Sequence, residues 1–246
     1  MPTSAPDPTT ERPLLAVSGL SAGYGKLGVL TGVDFDVHRG EIVALVGANG
    51  AGKTTLLSCA AGLLRDVTAG TVSLNGQDVT RKKPRAIVKR GLLYVPEGHR
   101  VFPALSVEDN LHLAGYGIDR AARTASIAEA WEVFPEIAAK RQEKAGRLSG
   151  GQQQMLVIAQ GLVRRPDVLM LDEPSAGLAP VLVDRILDVA GSLRDRGVGV
   201  VIVEQLVDKV LAVSDRAYVL TQGRVTFSGA ASELASGDVL QRAYLG

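Results

Sequence analysis

One eight-residue segment constrains the fold of this 246-residue chain more than anything else in it: Gly47-Ala48-Asn49-Gly50-Ala51-Gly52-Lys53-Thr54. It fits the phosphate-binding-loop pattern G-x-x-x-x-G-K-[ST], and its surroundings suit that pattern. An apolar strand-like run, EIVALV (Glu41–Val46), precedes it, and a helix-forming run, TTLLSCAAGLL, follows. Glycines let the backbone curl tightly enough for successive N–H groups to converge on phosphate oxygens. The following helix adds its positive N-terminal end. In this reading Gly47, Asn49, Gly50, Ala51 and Gly52 cradle the phosphates, with Thr55 just inside the helix. Lys53 would reach the β- and γ-phosphates, and Thr54 would place its hydroxyl on Mg²⁺.

The rest of the chain has the alternation that such a loop requires. Short valine-rich runs are interleaved with helical stretches, the pattern of a mainly parallel sheet with helices on its faces. Besides Glu41–Val46, the runs Gly91–Val95, Val168–Leu171 and Val198–Val203 are nearly continuous in apolar residues, as strands covered on both faces are. The first 40 residues differ: alternation in DFDVH and turn glycines predict antiparallel strands. A terminal hairpin is expected from Arg216–Leu220, a turn at Gln222-Gly223, and Arg224–Phe227. From about Pro103 to Arg147 the strand signal disappears. Ser106 begins a helix there, with Glu108 and Asp109 in its first turn, and the alanine-rich run Arg120–Phe134 ends near Pro135. These residues are expected to form a helical insertion, about 98–147, in an α/β core. Residues 1–13 are Pro/Thr-rich and read as a disordered start, leaving 14–246 as a single domain.

Composition excludes several other classes. Net charge is +1, from 27 basic and 26 acidic side chains, with no basic excess of the kind nucleic acid attracts. One cysteine, Cys59, cannot make an internal disulfide and reads as a small core residue on the helix after the loop. The weakly charged stretch Ile42–Leu64 is broken by four glycines and an asparagine, so a membrane span is not expected. Attachment to a membrane would come through a partner. His38 and His112 lack metal-ligand spacing and read as surface or satisfied polar residues, and Lys82-Lys83 and Arg164-Arg165 as solvated faces or helix ends.

Two further motifs carry chemistry. The strand VLML runs into Asp172-Glu173, and two adjacent carboxylates at a strand end are costly to bury without a cation or bound water. Asp172 would hold Mg²⁺ through a water, and Glu173 would act as general base on the attacking water. The segment Leu148-Ser149-Gly150-Gly151-Gln152 opens a helix with Ser149 as N-cap and two glycines exposing N–H groups near its positive end. Physical reasoning alone makes this a second anion site and goes no further.

Taken together, the loop at Gly47, LSGGQ and Leu171-Asp172-Glu173-Pro174 resemble the ABC ATPase family over nearly the whole chain. The resemblance implies a P-loop NTPase (RecA-like) core with an N-terminal antiparallel β subdomain and the helical insertion typical of that family. It implies ATP hydrolysis with ATP and Mg²⁺ bound, and two such domains packed head to tail. Ser149, Gly150, Gly151 and Gln152 of one domain would then face the γ-phosphate held by Lys53 of the other. It also implies that Tyr24, in LSAGYG, stacks on adenine.

Departures from the common family pattern narrow the resemblance. Glu97, in Tyr94-Val95-Pro96-Glu97-Gly98-His99-Arg100-Val101-Phe102, takes the place of the usual glutamine and could still reach Mg²⁺ or the lytic water. Ala179 stands near the place of a common aspartate. Gln205, after Glu204, replaces a histidine that usually contacts the γ-phosphate. An amide can donate there but cannot take up a proton, which shifts the catalytic burden to Glu173. Together VPEG…VF, LDEPSAGLAP and VEQ resemble the LivF-type ATP-binding subunits of branched-chain amino acid importers, to which amide and urea importers have very similar subunits. His99 and Leu206 differ from that subgroup's usual arginine and asparagine. The resemblance implies a second ATPase subunit (the same chain or a similar one), two transmembrane permease subunits and, indirectly, an extracytoplasmic solute-binding protein. The ATPase would be peripheral, on the cytoplasmic face of the membrane. An exporter ATPase and a non-transport ABC protein are the alternatives, and the transported solute is not encoded in this chain.

Overall fold

The computed structural model describes residues 12–98 and 101–236. His99 and the expectations for residues 1–11 and 237–246 lie outside them. The chain opens with the antiparallel hairpin β1 (Leu15–Tyr24) and β2 (Leu27–Val37), then enters β3 (Ile42–Val46). The phosphate-loop segment follows, and α1 (Lys53–Ala60) begins at its lysine. Next come β4 (Val67–Leu74) and β5 (Gln77–Asp78), which sequence alternation did not single out. They join β1 and β2 in a four-stranded sheet of order β2-β1-β4-β5. Asn75-Gly76 makes their turn with both φ values positive, 47° and 71°, and this Asn-Gly pair was the local signal for the hairpin. The antiparallel sheet therefore draws strands from both sides of the phosphate loop.

After α2 (Pro84–Val88) and β6 (Leu92–Val95), the chain leaves the sheet for α3 (Val107–Ala114), α4 (Arg120–Val133), α5 (Pro135–Ala138) and α6 (Gly150–Leu162). It returns as β7 (Val168–Asp172), crosses over through α7 (Pro180–Asp195) to β8 (Gly199–Val203), and passes α8 (Val207–Val213). The hairpin β9 (Arg216–Thr221) and β10 (Arg224–Ala230) precedes α9 (Ala231–Ser236). The second sheet has the order β10-β9-β3-β8-β7-β6, parallel except for the β9–β10 pair. All residues of β3, β7 and β8 are buried. Alternate residues enter opposite cores: Ile42, Ala44 and Val46 pack on the helical side, Val43 and Leu45 against α1 and the antiparallel sheet. That two-sided burial is why these strands carry no polar alternation.

Local capping agrees with the sequence. Ser106 caps α3 by accepting the Asp109 N–H at 2.9 Å, and Asp119 caps α4. Arg164, expected on a solvated face or at a helix end, is half-buried at a helix end. Its guanidinium donates to the carbonyls of Ala114 and Tyr116 at 2.7 and 2.8 Å, closing the C-terminal end of α3. Of the histidines, His112 is exposed, while the Nδ1 of half-buried His38 lacks a hydrogen-bond partner among the described residues. Cys59 is buried, and desolvation pushes its thiol up to about 11. No helix among the described residues is long and apolar enough to cross a membrane.

Asn110 pins the chain between β6 and α3. It is fully buried, accepts from Phe102 N at 2.8 Å, donates to the Phe102 and Ser106 carbonyls at 3.1 and 2.8 Å, and also accepts from Gln160 Nε2 at 3.1 Å. Asn110→Ala removes four hydrogen bonds made by a fully buried side chain and is expected to lower stability by about 2–3 kcal/mol, measured as a shift in the urea midpoint.

Candidate functional site

Three parallel strands deliver the candidate residues to one end of one sheet. The segment Gly47–Gly52 follows β3, Asp172 closes β7 and Glu173 follows it, and Glu204-Gln205 follow β8. Gly47, Gly50 and Gly52 have φ of 150°, 81° and 108°. Gly47 has a steric reason as well, since a Cβ there would lie 2.2 Å from the Leu220 carbonyl oxygen. Ala51 is buried, whereas Asn49 and Gly50 are exposed on the outer side of the turn. No side chain caps α1, so its leading N–H groups are left for an anion.

Lys53 is 8% exposed and donates to the carbonyls of Gly47 and Ala48 at 2.7 and 3.1 Å. Burial pushes its ammonium below the usual lysine range, while the fields of Glu173 and Asp172 pull the other way. Among the described residues no carboxylate lies within ion-pair distance of it. A buried cation held only by carbonyls, beside an uncapped helix start, fits an incoming phosphate. Thr54 is exposed at the first turn and Thr55 is buried beneath it.

Asp172 is 2% exposed and accepts from the Tyr94 hydroxyl at 2.8 Å. Sequence reasoning did not select Tyr94. It reaches the site because β6 pairs with β7 in the register Tyr94↔Met170. Glu173 has a left-handed φ of 45°, unusual for a residue with a Cβ, and its N–H is bound to the Val203 carbonyl at 2.8 Å. Gln205 Nε2 donates to Glu173 Oε2 at 2.7 Å. Lys53, Asp172, Glu173 and Gln205 are thus brought together. Glu97 stands exposed on the bend beyond β6, at the same end of the sheet, and no hydrogen bond recorded among the described residues joins it to that group. Among the described residues no cluster of three or more His, Cys, Asp or Glu could hold a metal unaided.

Tyr24 is 52% exposed at the tip of the β1–β2 hairpin. That hairpin abuts the loop: a Cβ on Gly52 would meet Leu30 Cδ2 at 2.8 Å and Val29 Cγ1 at 3.5 Å. Gly223, in the β9–β10 turn, ties both together, donating to Ala51 O and accepting from Thr31 N, each at 2.9 Å. Sequence reasoning had given Gly223 only a turn role.

At the other motif, Ser149 and Gln152 form a reciprocal capping box at the start of α6, with bonds of 3.2 and 3.4 Å. Ser149 and Gly150 are exposed, whereas Gly151 is buried under Leu182, whose Cδ1 would sit 2.2 Å from a Cβ there. The recorded side-chain bonds of Ser149 and Gln152 stay within the cap and do not reach the Gly47–Thr54 loop.

Comparison with known proteins now adds identity. Residues 30–176 match the model of the ABC transporter family. A high-affinity branched-chain amino acid transport ATP-binding protein of Pseudomonas aeruginosa is 38% identical, over 95% of this chain and 100% of its own. A probable branched-chain amino acid transport ATP-binding protein of Archaeoglobus fulgidus is 42% identical, over 95% and 99%. Among solved structures, the ADP conformation of an ATP-binding cassette of an ABC transporter superposes with a TM-score of 0.85 at 25% identity, covering 96% of this chain and 100% of that one. The chain belongs to the ABC transporter family, as one of its ATP-binding, ATP-hydrolysing subunits.

Proposed function

We propose that this subunit drives a branched-chain amino acid importer, with Glu173 as the general base of its ATPase reaction. The transport class rests on the two relatives, whose names both give branched-chain amino acid transport. The assignment of the base rests on one observation, the 2.7 Å bond from the Gln205 amide to the Glu173 carboxylate beside buried Asp172.

In this reading the loop N–H groups from Gly47 to Gly52 and the first turn of α1 bind the phosphates. Lys53 exchanges its carbonyl partners at Gly47 and Ala48 for phosphate oxygens. Tyr24 stacks on the adenine from the adjoining hairpin. Thr54 and Asp172 would hold Mg²⁺, with Glu97 placed to reach the metal or the lytic water, and the bound metal would supply positive charge against the developing phosphate charge. Tyr94 donates to Asp172 Oδ2 and holds that carboxylate in place. Glu173 takes the proton of the attacking water. The Gln205 amide carries two hydrogens: one remains on Glu173, and the other is left for an oxygen of the terminal phosphate. Ser149, Gly150, Gly151 and Gln152 complete the site of a second ATPase subunit packed head to tail; Ser149 and Gly150 are exposed at the start of α6, and the bonds of the Ser149–Gln152 cap are local, which supports that reading. Two permease subunits anchor the pair at the cytoplasmic face of the membrane, and a solute-binding protein delivers the amino acid from the other side.

Glu173→Gln is expected to keep ATP binding, lower turnover by about 10²–10³-fold, and accumulate an ATP-bound dimer on gel filtration. Normal turnover would overturn the assignment of the base. Gln205→Ala loses a hydrogen bond to charged oxygens, so a fall of about tenfold in kcat is expected, the scale of ~1.4 kcal/mol. For the cargo, the reconstituted transporter should show ATPase stimulation by leucine, isoleucine or valine with its binding protein. Stimulation by urea or short amides instead would move the assignment to that class.

A further inference from the structure

The buried carboxylate of Glu204 has no role in the mechanism above. It lies at the end of β8, 4% exposed, and no lysine or arginine among the described residues pairs with it. Its partners are the backbone N–H groups of Ser175 and Gln205, with the Ser175 side chain bonding to it as well. Oε1 accepts from Ser175 at 2.7 Å, across 29 residues of chain, and Oε2 accepts from Gln205 at 3.2 Å. An uncompensated buried carboxylate is expensive, so the fold gains something specific from this one. Burial raises its pKa, the nearby charge of Glu173 adds to the rise, and the bonds from Ser175 and Gln205 oppose it.

The two N–H groups belong to the two segments that carry the candidate catalytic pair. Ser175 lies two residues beyond Glu173, with Pro174 between them as a stiff link that has no N–H of its own. Gln205 bears the amide bonded to Glu173. The contacts close a ring: Glu173, Pro174 and Ser175 on one side, Glu204 and Gln205 on the other, joined by the Ser175–Glu204 bond and the Gln205–Glu173 bond. Glu173 sits in this ring with its left-handed φ of 45°. A residue with a Cβ stays in that region only where its neighbours hold it, at a cost of about 1 kcal/mol or more.

We propose that Glu204 is a positioning residue for ATP hydrolysis: by clasping the backbones of Ser175 and Gln205 it sets where the Glu173 carboxylate and the Gln205 amide stand. This rests on Glu173 being the base. Among the described residues its hydrogen bonds go to Ser175 and Gln205 and not to the phosphate loop, so its effect falls on the chemical step and spares nucleotide binding. A carboxylate suits the task because both its oxygens accept. The isosteric amide of glutamine would turn one of them into a donor facing an N–H.

The test is Glu204→Gln in the full-length chain, with steady-state and single-turnover ATPase kinetics and a thermal midpoint. The expected result is a drop of about tenfold in kcat, the scale of a sub-ångström misplacement, with KM for ATP changed less than about twofold. In a Glu173→Gln background the same change should cost less than about twofold in the residual single-turnover rate, because the group it positions is gone. An unchanged kcat in folded Glu204→Gln protein would overturn the proposal. So would parallel losses in kcat and ATP affinity, or an undiminished loss in the Glu173→Gln background. Should Glu204→Gln not fold, Glu204→Asp, with its charge kept and its reach shortened, must show the same loss confined to kcat. Full activity in Glu173→Gln overturns the base itself, whereas an inactive Glu173→Gln beside a fully active Glu204→Gln overturns only the clasp.

Discussion

Parallel pairing of β3, β8 and β7 is the constraint on which the site depends. In a parallel sheet every strand ends at the same edge, so the turns after the three strands share one place although more than 100 residues separate Gly47 from Asp172. The register fixes more than proximity. Asp172 lies opposite Val203, and the ladder continues one bond further through the Glu173 N–H to the Val203 carbonyl. A slip of one residue would turn every side chain of β7 to the other face, exchanging Leu169 and Leu171 for Val168 and Met170 between the two cores. The apolar burial of the sheet thus holds the chemistry in register.

Against that apolar frame the site concentrates buried polar groups that elsewhere would be a liability. Lys53, Asp172, Ser175 and Glu204 are all under 9% exposed at this one edge. Each has a defined partner: carbonyls for Lys53, a tyrosine hydroxyl for Asp172, and for Glu204 the N–H groups of Ser175 and Gln205 together with the Ser175 side chain. Lysine and carboxylates are kept apart by these separate partners instead of collapsing into a salt bridge. That arrangement leaves charge of both signs available at the edge where ATP is bound. A preorganised charge costs little reorganisation when the reaction occurs.

The surrounding elements brace this edge in less obvious ways. The β9–β10 turn clips the phosphate loop to the β1–β2 hairpin through Gly223, and the hairpin in turn carries Tyr24. Farther from the loop, Arg216 bonds to Asp36 and Glu41 at 2.6 and 3.1 Å and ties the end of β2 to β9. The antiparallel sheet is therefore fastened to the parallel one at two points along β2, Thr31 and Asp36.

Much of this was legible in the sequence, for physical reasons that also mark the limit. The phosphate loop, the cap at Ser149 and the buried strands are local: each is a backbone solution decided by residues within about ten positions, so glycine spacing, a capping serine and continuous valine runs announce them. The sequence also disclosed the family through motifs of this kind. It did not disclose β4 in the antiparallel sheet, the bond from Tyr94 to Asp172, the burial of Gly151 beneath Leu182, or the helix-closing role of Arg164. Those depend on partners tens of residues away. The contact from Glu204 to Ser175 spans 29 residues and that from Gln205 to Glu173 spans 32, and nothing in either segment alone requires them to meet. The sequence by itself determined a phosphate loop, an acid pair and a capped helix. Only the tertiary structure decided which side chains stand beside which, because register between strands is settled by the burial of two whole faces and by no single residue.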